Sequence, residues 1–287
     1  MRARLPTLRD VRRFVADRFP PLVTAPLAAA LYGAPASLGQ PGVAGAAAGW
    51  TSTFILLLVL RMSDDLADRA RDRVLHPGRG LVSGRIDAGN LSSARWWLAG
   101  SIAALDLAWP GRLAFALLAG GTFAVYLLVR RRLHPLVRPF ASNLALPLAV
   151  LHGAEPGALV AALMLALAAW LTAVAHEVAH NVQPADRDRA TGPGYAARLG
   201  ARGAATLATA LFATAATAEG WLWVRLGAPA LFGVALAISA AVLLAGAARL
   251  VLRPTPEAAR PFHLGGILLG VLPPLALAAG RLFSALW

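Results

Sequence analysis

Residues 54–72 read FILLLVLRMSDDLADRARD, an unbroken apolar run that passes directly into a segment rich in aspartate and arginine. Upstream residues extend the apolar run to cover 41–62. A helix of that length crosses about 30 Å of hydrocarbon. The pattern therefore predicts a membrane-spanning helix whose charged end projects from the bilayer.

Apolar runs of this kind recur along the whole chain, in which 58% of the residues are hydrophobic and 14% are charged. We predict an all-α, polytopic membrane protein with nine transmembrane helices in a single domain over residues 1–287. The first and fifth runs are short and interrupted by proline. The predicted spans lie near residues 14–35, 41–62, 91–109, 112–129, 136–152, 156–180, 203–224, 229–251 and 264–287.

The positions of the arginines predict how these helices are oriented. The chain carries a net charge of +13, and with nine spans all of its arginines except Arg112, Arg225 and Arg281 fall on the side of the N-terminus. Because basic residues concentrate in cytoplasmic loops, we expect an inner (plasma) membrane protein with a cytoplasmic N-terminus. This interpretation assigns the charge to membrane topology, so we expect the lipid bilayer, and no nucleic acid, as a partner.

Carboxylates are scarce in this chain, and they concentrate in two predicted cytoplasmic loops, 63–90 and 181–202. In the first loop Asp64, Asp68 and Asp72 are four residues apart, so a helix continuing from the second span places all three on one face. Like charges at this spacing repel unless a cation lies between them, and clustered carboxylate oxygens suit Mg²⁺. The alternative is a solvated helix end neutralised by Arg69, Arg71 and Arg73.

The stretch from Asp64 to Gly84 resembles a signature of a known family. In the UbiA superfamily of intramembrane prenyltransferases the first signature is an Asn-Asp-x-x-Asp-x-x-x-Asp run, followed by a P-x-R-P-L-x-x-G-like segment. Here Asp64 stands at the position of the family asparagine, and Gly80 replaces the second proline. The residues that match the signature are Asp65, Asp68, Asp72, Arg79, Leu81 and Gly84.

The second acidic loop is introduced by the run HEVAHN, residues 176–181, at the end of the sixth span. Members of the superfamily carry a second motif, typically Asp-x-x-x-Asp, at the cytoplasmic end of helix six. The loop that follows it ends in a glycine before helix seven. This chain has Glu177-x-x-x-Asn181 and then Gly200. An amide thus replaces one carboxylate, which implies that a second Mg²⁺ is held weakly or not at all.

The resemblance implies a UbiA-like bundle and an enzyme that uses an isoprenoid diphosphate. Mg²⁺ held by Asp64, Asp68 and Glu177 would grip the diphosphate, and the prenyl group would pass to an aromatic or lipid acceptor. A terpene cyclase, in which the double bonds of the isoprenoid capture the cation, shares the ionisation step and is the main alternative. By this resemblance the catalytic residues are Asp64, Asp68, Asp72 and Glu177, and Arg79, Arg131, Arg132 and Asn181 bind substrate, although the arginines after the fourth span could equally be positive-inside anchors. Asn143, a lone amide within the fifth span, is a further candidate for substrate binding or else forms an interhelical hydrogen bond.

Two further alternatives follow from the same residues. The run from His176 to His180 is also H-E-x-x-H, in which two histidines bind Zn²⁺ and the glutamate serves as general base of a metalloprotease. Intramembrane metalloproteases resemble one another in a further aspartate on a later helix, and this sequence has no aspartate after Asp188. The other alternative is a non-catalytic membrane protein that keeps the helical shell.

The predicted topology can be tested with reporter fusions. Reporters at Gly89 and Gly192 should both report the cytoplasm, and one at the C-terminus should report the opposite side, because the two loops carry much of the arginine. Opposite locations for the two loops would rule out a site shared by their carboxylates.

Overall fold

The computed structural model describes residues 7–39, 42–180 and 195–286, and within these ranges the chain is helical and contains no strand. The predicted all-α class is confirmed for this part of the chain. A short 3₁₀ turn, Pro156–Ala158, leads into the eighth helix. In chain order the helices are α1 (Leu8–Arg18), α2 (Pro21–Gly39), α3 (Val43–Leu75), α4 (Ala88–Asp106), α5 (Pro110–Val129), α6 (Arg138–Ser142), α7 (Ala145–Leu151), α8 (Leu159–His180), α9 (Tyr195–Leu226), α10 (Ala230–Leu252) and α11 (Pro256–Leu286).

The long helices pack side by side in a closed ring. Each of α2 to α5 contacts the next, α5 contacts α7, and α7 to α11 continue in order until α11 returns to α2. Helix α8 also contacts α2 and α11. The apolar core lies between these helices and is built mainly from alanine, leucine and phenylalanine side chains. The ring therefore encloses a packed interior and not an open channel.

Six helices in the described ranges are long and apolar enough to cross a membrane, so the predicted count of nine is not confirmed. Helices α4 and α9 coincide with the predicted spans 91–109 and 203–224, but neither is among the six. The six are Pro21–Gly39, Val43–Leu75, Pro110–Val129, Pro156–Ala179, Ala230–Leu252 and Glu257–Leu282.

Two predicted spans are not single helices. The span 14–35 is divided into α1 and α2, because the tandem Pro20-Pro21 disfavours a helical backbone at the preceding Phe19. The span 136–152 consists of the short helices α6 and α7, which are separated at Asn143. Both interruptions lie at the end of the bundle where the acidic residues gather, and they bring polar backbone and side chains to that end.

Helix α3 continues for 33 residues without a break and contains the whole first acidic motif. The first part of the predicted inter-span segment 63–90 is thus helical, and the non-helical segment is 76–87. The helix ends at Leu75, where the backbone N–H of His76 bonds to the carbonyl of Asp72 at 2.8 Å. The predicted alignment of Asp64, Asp68 and Asp72 along a continuing helix is thus confirmed.

Helices α10 and α11 approach each other closely at two glycines. A Cβ atom added at Gly246 would lie 2.7 Å from the backbone of Phe262, and one added at Gly265 would lie 2.7 Å from the backbone of Leu243. Small residues allow this approach, and dispersion between closely packed helices stabilises membrane bundles. The contact between α10 and α11 therefore depends on the absence of side chains at these two positions.

Replacing Gly265 by valine should destabilise the protein by about 1–3 kcal/mol, because the new side chain must displace backbone atoms of α10. The matched control is Gly120→Val on α5, where an added Cβ meets nothing within 4 Å. Thermal unfolding of the two purified variants in the same detergent measures the difference. Equal stability of the two variants would contradict the close packing of α10 on α11.

Candidate functional site

A cavity of about 820 Å³ opens at the end of the bundle where the acidic part of α3 meets the end of α8. Its wall is charged toward the mouth and apolar toward the interior. The charged and polar residues that line it are Arg18, Thr24, Arg61, Asp64, Asp68, Arg71, Arg130, Arg131, Arg138, Ser142, Asn143 and Glu177. The two acidic motifs, which are more than a hundred residues apart in sequence, therefore share one cavity.

Asp64 and Asp68 lie one helical turn apart on α3, and both line the cavity. The Nη1 atom of Arg130, at the end of α5, lies 2.6 Å from Oδ1 of Asp68. The Nη1 atom of Arg61 lies 3.5 Å from Oδ2 of Asp64. Each of these carboxylates thus has an arginine beside it, which offsets the repulsion expected between like charges one turn apart.

Asp65 does not line the cavity, although it is one of the aspartates that match the family signature. Its side chain is buried, and it accepts two hydrogen bonds from Arg18, from Nε at 2.7 Å and from Nη2 at 3.1 Å. Arg61 approaches the same carboxylate at 3.1 Å. This paired geometry fixes α1 against α3, so Asp65 positions the wall of the cavity while Asp64 and Asp68 face into it.

Asp72 is likewise paired away from the cavity. Its Oδ2 atom accepts a hydrogen bond from Nη1 of Arg79 at 2.5 Å, which joins the segment 76–87 to α3. Neither Asp72 nor Arg79 lines the cavity, and Arg132 is exposed outside it. Of the other predicted substrate-binding residues, Arg131 and Asn143 line the cavity, and Asn181 lies outside the described residues.

Glu177 enters the cavity from α8 and is held by the break between α6 and α7. Its Oε2 atom accepts hydrogen bonds from Oγ of Ser142 at 3.0 Å and from Nδ2 of Asn143 at 2.9 Å. Asn143 also donates to the carbonyl of Pro139 at 2.8 Å. The interruption of the predicted fifth span therefore lets two polar side chains reach the carboxylate of the second motif.

Several residues of this site were missed or undervalued from sequence alone. Arg61 stands three and four positions before the first two aspartates, a spacing at which helical side chains meet, and this signal was available. Ser142 adjoins a residue that was predicted to bind substrate. Arg18 is 47 positions from its partner Asp65, and no local pattern indicates that contact.

The interior of the cavity is lined by apolar and aromatic side chains from four of the helices. They come from the start of α2, from α3 above the acidic motif, from α5 and from α7. The residues are Phe19, Leu27, Leu57, Leu60, Phe123, Tyr126, Ala145 and Leu146. The cavity therefore combines a charged mouth, where arginines outnumber carboxylates, with an apolar interior.

The segment after α8 is fixed where the chain re-enters the described structure at Tyr195. The buried hydroxyl of Tyr195 donates a hydrogen bond to the carbonyl of Leu136, between α5 and α6. Burial, followed by the charge of Glu177, raises the pKa of Tyr195 to about 12, so the hydroxyl remains a donor. Five residues later Gly200 interrupts the helix with φ of 72°, a conformation that favours glycine. Tyr195 thereby ties the start of α9 to the loop beside the cavity.

The histidine pattern does not form a zinc site in the described residues. The ring of His176 packs at a tilt of 57° against His263 of α11, with ring centroids 4.6 Å apart, whereas the neighbouring Glu177 lines the cavity. No group of three or more histidine or acidic side chains suited to a metal is found in the described part of the chain. The side chain of His180 lies outside that part.

The donor set of the cavity fits Mg²⁺. Asp64, Asp68 and Glu177 supply carboxylate oxygens, and Asn143 and Ser142 supply an amide and a hydroxyl beside them. Mg²⁺ is usually bound by one or two carboxylates together with waters and substrate phosphates, and not by a complete cage of protein ligands. Asp64, Asp68 and Glu177 line one open cavity but do not form a preformed metal site in the described ranges, so a bound Mg²⁺ would need waters and substrate phosphates to complete its coordination.

Two solved structures resemble this chain over nearly its whole length. A UbiA homologue from Aeropyrum pernix K1 has a TM-score of 0.74 and 21% sequence identity, and the match covers 92% of this chain and 98% of that one. A digeranylgeranylglyceryl phosphate synthase of membranes has a TM-score of 0.72 and 16% identity, over 96% of this chain and 100% of that one. No protein-family model and no curated protein sequence matches the chain. The resemblance predicted from the acidic motifs is therefore confirmed at the level of structure, and the chain has the fold of these two proteins.

Proposed function

We propose that this protein is a Mg²⁺-dependent membrane prenyltransferase, which ionises an isoprenoid diphosphate and transfers the prenyl group to an aromatic or lipid acceptor. The observation that carries the proposal is the single cavity in which Asp64, Asp68 and Glu177 meet six arginines at one end and apolar side chains at the other. The fold shared with a UbiA homologue and with a digeranylgeranylglyceryl phosphate synthase supports it.

The charged end of the cavity suits the leaving group of such a reaction. As the C–O bond of an allylic diphosphate breaks, negative charge accumulates on the diphosphate. Arg130 and Arg131 of the α5–α6 loop, and Arg71 of α3, line the cavity and would donate hydrogen bonds to its oxygens. Mg²⁺, when bound by Asp64, Asp68 and Glu177, would supply further neutralisation of that charge.

Residues deeper in the cavity suit the isoprenoid. Leu57, Leu60 and Leu146 provide an apolar wall for the prenyl chain, which keeps water from the allylic cation. Phe123 and Tyr126 lie between this wall and the charged mouth, with ring centroids 5.9 Å apart. The negative faces of aromatic rings stabilise nearby cations. These rings are thus suited to stabilising the prenyl cation as it leaves the diphosphate.

The roles of two neighbouring aspartates can be separated by substitution. Asp68→Asn should lower prenyl transfer about 100-fold or more. Asp68 lines the cavity, and its negative charge is needed to hold Mg²⁺ and Arg130 beside the diphosphate. Asp72→Asn should leave more than a tenth of the activity and mainly lower the melting temperature, because Asp72 is paired with Arg79 outside the cavity. Activity and thermal unfolding of both variants test this assignment, which a dead but stable Asp72→Asn protein would contradict.

The reaction itself is tested by incubating the purified protein with a panel of prenyl diphosphates and Mg²⁺, with products identified by mass. We expect diphosphate release that depends on Mg²⁺ and on an added acceptor, together with a prenylated acceptor. Release without acceptor, accompanied by a cyclic hydrocarbon, would show a terpene cyclase. An absence of turnover with every donor would contradict both enzymes and favour a non-catalytic protein.

The zinc-protease alternative makes the opposite prediction for the neighbouring residues of α8. Glu177→Gln should impair prenyl transfer because Glu177 lines the cavity, and His176→Ala should leave it nearly unchanged because His176 packs on His263. The purified protein should contain no stoichiometric zinc. Zinc that is present and then lost in His176→Ala would contradict the proposed function.

A further inference from the structure

A second pocket, of about 390 Å³, lies at the end of the bundle opposite the carboxylates. It is formed where the start of α8 meets the ends of α9 and α11. The helix α8 runs from Leu159 in this pocket to Glu177 in the large cavity, so the two are separated by about 27 Å at 1.5 Å per residue. The pocket is therefore a distinct site at the other face of the membrane bundle.

Arg225 and Arg281 both line this pocket. The sequence places only three arginines on this side of the predicted topology, and two of them converge here. Such a concentration of positive charge runs against the arginine distribution of the rest of the chain. Positive-inside anchoring, which accounts for most arginines in this protein, does not account for these two.

The arginines are held in place and one of them has unused hydrogen-bonding capacity. Arg281 donates from Nη2 to the carbonyl of Leu226 at 3.1 Å, and its buried Nε finds no acceptor among the described residues. The guanidinium of Arg225 lies 5.8 Å from the ring centroid of Trp221. Because the Nε atom of Arg281 is inaccessible, an anionic ligand in the pocket would contact the other N–H groups of its guanidinium, which lines the pocket.

The start of α8 adds to the positive potential. The turn Pro156–Ala158 opens the helix into the pocket, and the first N–H groups of a helix carry partial positive charge. The preceding carboxylate does not line the pocket, because the Glu155 side chain packs toward Gly39 of α2. The helix start and the two arginines therefore contribute positive potential to the same pocket.

The rest of the pocket is apolar and lies at the surface of the bundle. Leu159, Val160 and Trp221 are all exposed, and Leu38 and Ala161 complete the wall. A free anion would contact the arginines but not this apolar surface. An amphiphile with a phosphate group and an acyl chain would contact both.

We propose that this pocket binds an anionic phospholipid, whose phosphate group contacts Arg225 and Arg281 and whose acyl chain lies along Leu159 and Val160. The lipid would cover the junction of α8, α9 and α11 at the face opposite the large cavity. The binding is independent of the prenyl-transfer chemistry proposed for that cavity.

The test is native mass spectrometry of the full purified chain with added phosphatidylglycerol. We expect the protein to bind one such lipid tightly, and the double variant Arg225→Gln with Arg281→Gln to bind it about tenfold more weakly or worse, because charge-assisted hydrogen bonds are lost. The matched control is Arg249→Gln with Arg253→Gln. These two arginines lie at the C-terminal end of α10, away from this pocket, so their removal takes away the same charge and should keep the affinity. Equal affinity of the two double variants would overturn the proposal.

Two further arms identify the ligand. Diacylglycerol with the same acyl chains should bind far more weakly than phosphatidylglycerol, and inorganic phosphate should not displace the lipid at millimolar concentration. Displacement by phosphate would overturn the lipid assignment in favour of a simple anion site. If the double variant fails to fold, Arg225→Gln alone keeps the bond of Arg281 to Leu226 and should still weaken phosphatidylglycerol binding. Unchanged binding by that folded variant would contradict the role of Arg225.

Discussion

Four carboxylates within nine residues of one helix repel one another, and in a bundle this apolar each of them must be matched by a cation. The structure matches them in pairs: Asp65 with Arg18, Asp68 with Arg130 and Asp72 with Arg79, while Arg61 lies beside Asp64 and Asp65. Removing one partner from a buried pair leaves a costly uncompensated charge. These pairs join α1, the end of α5 and the segment 76–87 to α3, so the neutralisation of α3 also assembles the mouth of the cavity.

The closed ring of helices explains why the second motif meets the first. Helices α7 and α8 follow α5 around the ring, which brings Glu177 to the same end as the acidic part of α3. The break between α6 and α7 then supplies Ser142 and Asn143 as donors to Glu177. A continuous helix over residues 136–152 would form all of its backbone hydrogen bonds but would orient these two side chains differently. Irregular backbone is tolerated at this depth where it lines a polar cavity.

Much of this arrangement could be predicted from the sequence, for reasons that are local. The spacing of Asp64 and Asp68 indicates a shared helix face, and the order of the two motifs indicates a shared end of the bundle. The motif match does not by itself give the position of each side chain: Asp65 and Asp72 fit the signature and are paired with arginines outside the cavity, whereas Asp68 fits it and lines the cavity. Residue type and spacing do not distinguish a carboxylate that faces a cavity from one that faces an arginine. The contact of Arg18 with Asp65 and the division of the span 136–152 depend on tertiary packing.

The central claim is that one cavity holds a diphosphate at its charged mouth and an isoprenoid chain in its apolar interior. The most direct measurement is an experimental structure of the protein with Mg²⁺ and a non-hydrolysable prenyl thiodiphosphate. The account predicts the diphosphate among Arg130, Arg131, Asp64, Asp68 and Glu177, and the prenyl chain against Leu57 and Leu146. A diphosphate bound elsewhere, or a prenyl chain that lies outside this cavity, would contradict it.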